Sequence, residues 1–219
     1  MRGLFVTGTD TGCGKTTVAC VLARAARERG LRVRVLKPVE TGCAESGGER
    51  IPADAVALVE AAADPRPVAE LCPYRLALPA APEIAARHEG VSIDTDVLQQ
   101  AFAATAQEAD VVLVEGAGGL RVPIAPGLEM AELALLFGLP LLVVARASLG
   151  TINHTLLTLE AARARRLAVA GVVFSHVDPE LRDADRANLD LLIGSSALPL
   201  HAELPHGATT LDLDVAALF

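Results

Sequence analysis

Lys15 and Thr16 close the stretch Gly8-Thr9-Asp10-Thr11-Gly12-Cys13-Gly14-Lys15-Thr16-Thr17, which joins an apolar run at residues 4–6 to a helical pattern opening at Thr17. Strand, glycine-bearing loop and helix in that order describe a phosphate-binding P-loop. Glycines let successive backbone N–H groups turn inward around a polyphosphate, and the helix N-terminus adds partial positive charge. Lys15 then neutralises β/γ oxygens and the Thr16 hydroxyl ligates Mg²⁺. The spacing departs from G-x-x-x-x-G-K-[ST] at one point: the pattern asks for glycine at Thr9, and glycine stands at Gly8. A Gly-Lys-Thr tripeptide alone also serves as an ordinary helix start. Its setting here favours nucleotide binding, and the displaced glycine points to a subclass of P-loop proteins.

Other residues with chemical potential follow predicted strands. Glu115 ends the apolar run 110–115 and precedes Gly116-Ala117-Gly118-Gly119, which permits close backbone approach. A carboxylate there, opposite a P-loop, is where a magnesium ligand is expected. Asp54 opens a helical stretch and serves equally as a dipole-complementing carboxylate or a metal ligand. Lys37 stands at a strand end before Pro38, which holds it extended; a lone lysine there is ordinarily solvated. Gly150-Thr151-Ile152-Asn153 opens another helix, a place for a carboxylate or phosphate, or for plain capping. The histidines at 88, 154, 176, 201 and 206 form no ligand spacing or base-orienting pair. Cys13, Cys20, Cys43 and Cys72 show no C-x-x-C pair and read as reduced thiols, Cys13 filling space in the loop.

Strands and helices must carry these residues to one place. Strands are predicted at 31–39, 110–115, 140–145, 168–174 and 198–204 after the first, with helices at 15–29, 54–62, 95–108, 129–137, 151–166 and 182–193. Gly30 stops the first helix. Residues 43–52 read as a surface loop, and the proline-rich segment 64–89 as a loop region without a long element. The alternation predicts an α/β fold: a single domain, residues 1–219, with a doubly wound, mostly parallel sheet covered on both faces. In such sheets ligands bind beyond the carboxyl ends of the strands. Lys15, Lys37, Thr41, Glu115 and the 148–153 segment therefore converge on one edge.

Composition narrows the classes. With no Trp, 1 Tyr and 5 Phe, the core must be built from Ala, Val, Leu and Ile. The net charge of −8 speaks against a nucleic-acid surface, so anionic ligands must be held by placed dipoles and a few cations. The apolar stretch 133–145 is broken by Gly138 and Pro140 and falls short of a membrane span. Met1-Arg2 leads directly into a strand, so no signal peptide and a cytoplasmic location are expected.

Taken together, Gly8-Thr-Asp-Thr-x-x-Gly-Lys-Thr16, Lys37-Pro-Val39, Thr41-Gly42, Asp54-Ala55, Pro73-Tyr74, Val114-Glu-Gly-Ala-Gly-Gly119 and Leu149-Gly-Thr-Ile-Asn-His154 resemble dethiobiotin synthase, from the N-terminus to about residue 175. The resemblance implies ATP-dependent closure of 7,8-diaminononanoate with CO₂ to a cyclic urea, through a carbamate and a carbamic-phosphoric anhydride. It implies Thr16, Asp54 and Glu115 on Mg²⁺, and residues 12–17 (Gly12, Cys13, Gly14, Lys15, Thr16, Thr17) around the phosphates of ATP, with Gly116, Ala117 and Gly118 alongside. Lys15 and Lys37 become charge-stabilising catalytic residues. Thr41 contacts the diamine, and Gly150, Thr151 and Asn153 hold the substrate carboxylate across the interface of a homodimer. Ser175 and His176 meet the base. Family members often carry asparagine at Ser175; one hydroxyl replaces an amide that donates and accepts, so the nucleotide preference stays open here.

Two other readings differ in residues. A partition or cell-division ATPase of the related class carries a signature lysine five residues before the P-loop lysine, where this chain has Asp10. Nor is there an obvious basic amphipathic helix at the C-terminus to reach a membrane. An amidotransferase-type ligase would normally bring a glutamine-hydrolysing domain, for which 219 residues leave no room.

Overall fold

A computed structural model describes residues 2–107, 109–195, 198–212 and 218. In chain order, β1 (Arg2–Gly8) leads through the phosphate loop to α1 (Lys15–Glu28), and β2 (Val33–Leu36) is followed by β3 (Val39–Thr41). A hairpin of β4 (Ala44–Ser46) and β5 (Glu49–Ile51) precedes α2 (Ala53–Ala62), α3 (Val68–Leu71), β6 (Tyr74–Leu76), α4 (Pro82–His88) and α5 (Thr95–Ala106). Then come β7 (Val111–Gly119), β8 (Pro123–Ala125), β9 (Leu128–Glu129), α6 (Met130–Phe137), β10 (Leu141–Arg146) and α7 (Thr151–Ala164). The last elements are β11 (Val169–Ser175), α8 (Asp183–Ile193) and β12 (His201–Leu204).

Six strands form one parallel sheet in the order β12-β11-β10-β1-β7-β2. The chain first builds outward from β1 to β2, and β7 later fills the place between them. It then turns the other way through β10, β11 and β12. The reversal lies beside β1, where a doubly wound sheet opens a crevice. Side-chain alternation splits the core. Leu4, Val6, Leu113 and Val144 face α1 and α2, whereas Phe5, Val112, Val114, Val143 and Phe174 face the layer that includes α5, α6, α7 and α8. Burial on both faces is why these strands read as unbroken apolar runs.

Several expected boundaries shift for local reasons. The strand expected over 31–39 ends at Leu36, because Pro38 has no N–H for the ladder and the Lys37 N–H donates to the Leu71 carbonyl at 2.8 Å. β3 leaves the main sheet and pairs in parallel with β6, which arises from the proline-rich segment expected to be loop. The expected loop 43–52 contains the antiparallel β4–β5 hairpin, turned by Gly47 and Gly48 at φ +62° and +82°; two positive φ values suit a tight hairpin turn. The strand expected to stop at Glu115 continues through the glycines to Gly119. The helix expected over 95–108 is α5; Glu108 lies outside the described residues, as does part of the C-terminal segment 207–219. Of that segment, Leu218 is buried in the α1-side core.

Candidate active site

The loop between β1 and α1 is fixed by contacts that explain its displaced glycine. A Cβ on Gly8 would lie 2.7 Å from both the Asp10 carbonyl and the Cys13 sulfur, so no side chain fits there. The Thr9 N–H is taken up by the Val144 carbonyl at 2.9 Å. Cys13 is fully buried, its Sγ 3.3 Å from the Val144 carbonyl, and it fills space beneath the loop. Lys15 Nζ donates to the Asp10 carbonyl at 3.3 Å. From outside, Arg146 at the end of β10 donates to the carbonyls of Thr11 and Gly12 at 3.4 and 3.3 Å.

Above this loop lies a cavity of about 420 Å³, walled by the P-loop residues together with Lys37, Glu40, Thr41, Asp54, Glu115, Ala117, Gly118 and Val177. Its centre is a charge cluster. Lys37 Nζ sits 2.6 Å from Glu115 Oε1 and 2.8 Å from Asp54 Oδ2, and the Thr16 hydroxyl donates to Glu115 Oε1 at 2.9 Å. Lys37 and Glu115 are buried, while Asp54 is open to solvent on one side. Burial works against the Lys37 charge, but the Glu115 and Asp54 carboxylates outweigh it and hold the ammonium above its ordinary range. Burial would likewise raise the Asp54 carboxyl, yet Lys37, Thr16 and Lys15 keep it below its ordinary value. Lys37 and Asp54 thus favour each other's charged form.

Glu115 Oε2 is buried without a hydrogen-bond partner. An orphaned carboxylate oxygen costs free energy unless a ligand satisfies it. Glu115, Asp54 and the Thr16 hydroxyl form a hard oxygen set suited to Mg²⁺. That ion takes one or two carboxylates and completes its shell with phosphate oxygens and water. No group of three or more His, Cys, Asp or Glu arranged for a metal occurs among the described residues.

Other expected residues fall around or outside this centre. Lys15, Thr16, Lys37, Thr41, Asp54 and Glu115 converge, as do Gly12, Gly14, Thr17, Ala117 and Gly118. Gly116 packs inward, where a Cβ would come 2.9 Å from the Phe5 ring. Ser175 is buried behind the loop: a Cβ on Gly14 would be 2.3 Å from its hydroxyl, and Val177 lines the cavity instead. His176 turns to Glu203, Nε2 to Oε2 2.9 Å, and Glu203 also receives both Arg186 nitrogens. Gly150 and Asn153 line a separate hollow of about 580 Å³ with Leu149, Ile152, Leu156 and Leu157. Sequence reasoning missed Glu40, Arg146 and Val177. Glu40 stands one residue before Thr41, but nothing in the spacing shows that its carboxylate turns back to α2.

The AAA domain family matches residues 2–210. The ATP-dependent dethiobiotin synthetase BioD of Anaeromyxobacter dehalogenans strain 2CP-C is 45% identical, over 99% of this chain and 98% of its own length. The protein of the same name from Aromatoleum aromaticum is 43% identical over 99% and 96%. Among solved structures, the signal recognition particle receptor FtsY of Elizabethkingia anophelis in complex with GDP superposes with a TM-score of 0.58 at 20% identity. It is matched over 100% of this chain, which spans only 63% of the FtsY chain, and the likeness is one of fold. Identity of this extent along the full length, on a chain whose two lysines, hydroxyl and paired carboxylates meet at one P-loop cavity, places it in the dethiobiotin synthetase family.

Proposed function

We propose that this chain closes 7,8-diaminononanoate and CO₂ to dethiobiotin with ATP and Mg²⁺, acting as one domain over residues 1–219. The observation that carries the reading is the placement of Lys37, buried between two carboxylates, on the same cavity wall as Lys15 and Thr41. One amine of the diamine adds CO₂ and loses a proton to give a carbamate. A carbamate oxygen takes the γ-phosphoryl group, releasing ADP and leaving a carbonyl with phosphate as leaving group. The second amine attacks that carbon, expels phosphate and gives up a proton, and the urea ring is closed.

In this sequence Lys15 and Lys37 bind and balance the negative charge that gathers on the carbamate and the phosphoryl oxygens. Thr16, Asp54 and Glu115 would hold Mg²⁺, which neutralises phosphate charge when bound. Thr41 orients the diamine. The backbone of residues 12–17 wraps the phosphates, and the edge at Ser175, His176 and Val177 takes the base. Ser175 faces the loop, so its hydroxyl supplies little discrimination, and the nucleotide preference stays open beyond ATP.

We further propose a cytoplasmic homodimer. Leu149, just before α7, and Leu157 on it are 74% and 54% exposed, and the adjoining hollow includes the helix N-terminus at Gly150 and Asn153. A second copy packed there would bury the leucines and offer that N-terminus to the substrate carboxylate of its neighbour. No helix among the described residues is long and apolar enough to cross a membrane. Neither a nucleic-acid nor a membrane partner is proposed.

The test is a mass-spectrometric product assay with 7,8-diaminononanoate, bicarbonate and Mg²⁺, run in parallel with ATP, CTP and GTP. Dethiobiotin with at least one nucleotide is the expected result. Nucleotide hydrolysis independent of the diamine, with no urea product, would overturn the proposal.

A further inference from the structure

Three carboxylates reach the cavity wall: Glu40, Asp54 and Glu115. Two of them share Lys37; Glu40 is committed elsewhere. Helix α2 begins after Pro52, which gives its first turn no side-chain cap. The N–H groups of a helix's first turn have no partner within the helix. Glu40 supplies one from across the cavity wall: Oε1 accepts the Asp54 N–H and Oε2 the Ala55 N–H, each at 3.0 Å. The carboxylate is buried, with only 6% of Glu40 exposed, and a negative group at this position also complements the helix dipole.

The origin of Glu40 gives this cap its second consequence. Glu40 is the middle residue of β3, in register with Arg75 of β6, and stands between Lys37 and Thr41. Asp54 stands in the first turn of a different element, reached only after the β4–β5 hairpin, whose residues are largely exposed. One side chain therefore ties β3, which bears Thr41 and begins two residues after Lys37, to the residue whose own carboxylate meets Lys37. An ordinary cap from residue 52 would steady the helix without fixing it to β3.

We propose that Glu40 is a positioning residue that holds Asp54 in line with Thr16 and Glu115 for a divalent cation. This rests on the assignment of Asp54 to the metal, so the test carries a control for that assignment. Mn²⁺ serves as the probe. Its binding to the full chain saturated with ADP is followed by the EPR signal of free Mn²⁺, beside calorimetry of ADP without metal and thermal melting. In Glu40→Gln an amide N–H₂ must face a backbone N–H, and one of the two hydrogen bonds is lost. The expected result is roughly a tenfold loss of Mn²⁺ affinity, the scale seen when a group supporting a metal ligand is removed. ADP binding without metal should stay within about twofold of the parent.

The double variant Glu40→Gln/Pro52→Ser separates positioning from capping, since serine at 52 can accept the same N–H groups from within the helix. It is expected to regain melting temperature but not Mn²⁺ affinity. Full recovery of both would reduce Glu40 to a helix cap and overturn the proposal. So would an unchanged Mn²⁺ affinity in Glu40→Gln while Asp54→Asn loses it. If Asp54→Asn binds Mn²⁺ as the parent does, the metal assignment itself fails. Should Glu40→Gln not fold, the double variant, with its helix cap restored, carries the measurement alone.

Discussion

Lys37 holds its charge where little water reaches it, and its chemistry depends on its neighbours. Removing the ammonium takes away a preorganised donor aimed at developing negative charge, an effect worth about 10²-fold in turnover or more. Lys37→Ala should therefore lower kcat by at least that factor while ADP binding, read by calorimetry, is largely kept. Near-normal kcat in the variant would remove Lys37 from the mechanism. At this scale the sequence was informative where chemistry dictates spacing. Lys15 and Thr16 are fixed by the loop, and Glu115 by its place at the end of a buried run. Spacing alone showed Lys37 as a strand-end lysine and only the family resemblance gave it a catalytic role, because its burial between two carboxylates depends on Asp54 arriving from another element. Glu40 was silent because a glutamate in a three-residue strand resembles any solvated one.

Elements decide which of these residues meet. The continuous apolar runs predicted β1, β7 and β10 because two-sided burial leaves no polar face to confuse them. β3 and β6 were hidden by prolines and by their shortness, and the strand was expected to stop at Glu115 although the glycines after it extend β7 beside the P-loop, Gly119 opposite Gly8. The edge strand β2 is held by a cluster no periodicity announces. Asp64 accepts the Val35 N–H at 3.2 Å and pairs with Arg66 at 2.6 Å, and Arg66 covers the Val35 carbonyl at 3.1 Å. Burial raises the Asp64 carboxyl, but Arg66 and the backbone N–H groups outweigh that and hold it below its ordinary 3.8. A carboxyl lowered on folding stabilises fully above the unfolded value and loses that contribution as pH falls through the folded one. Urea midpoints measured from pH 6 down to pH 2 should therefore fall less steeply below about pH 4 in Asp64→Asn than in the parent. Parallel curves would show that the cluster contributes nothing to acid unfolding.

On the scale of the molecule, a chain of net charge −8 is proposed to bind a polyphosphate, a carboxylate and a carbamate. It can do so because each anion meets a local cation or helix N-terminus rather than a general field. The doubly wound architecture was legible from the alternation of elements, and the strand order was not, since order depends on which crossovers pack and periodicity carries no such information. The proposed dimer belongs to this scale as well. Leu157→Arg on the α7 face should yield monomers by light scattering and lose synthesis while ADP binding remains. Full activity in a strictly monomeric species would remove the shared carboxylate site.

β1 lies at the centre of the sheet, yet its register partners Leu113 and Leu141 are made more than a hundred residues after Leu4 and Phe5. At synthesis rates of about 5–20 residues per second, an apolar strand open on both edges waits roughly 5–20 seconds for its first neighbour in the main sheet. During that interval it is a template for other strands. The same placement that lets one loop serve the whole cavity leaves nascent β1 open to mispairing until β7 is made.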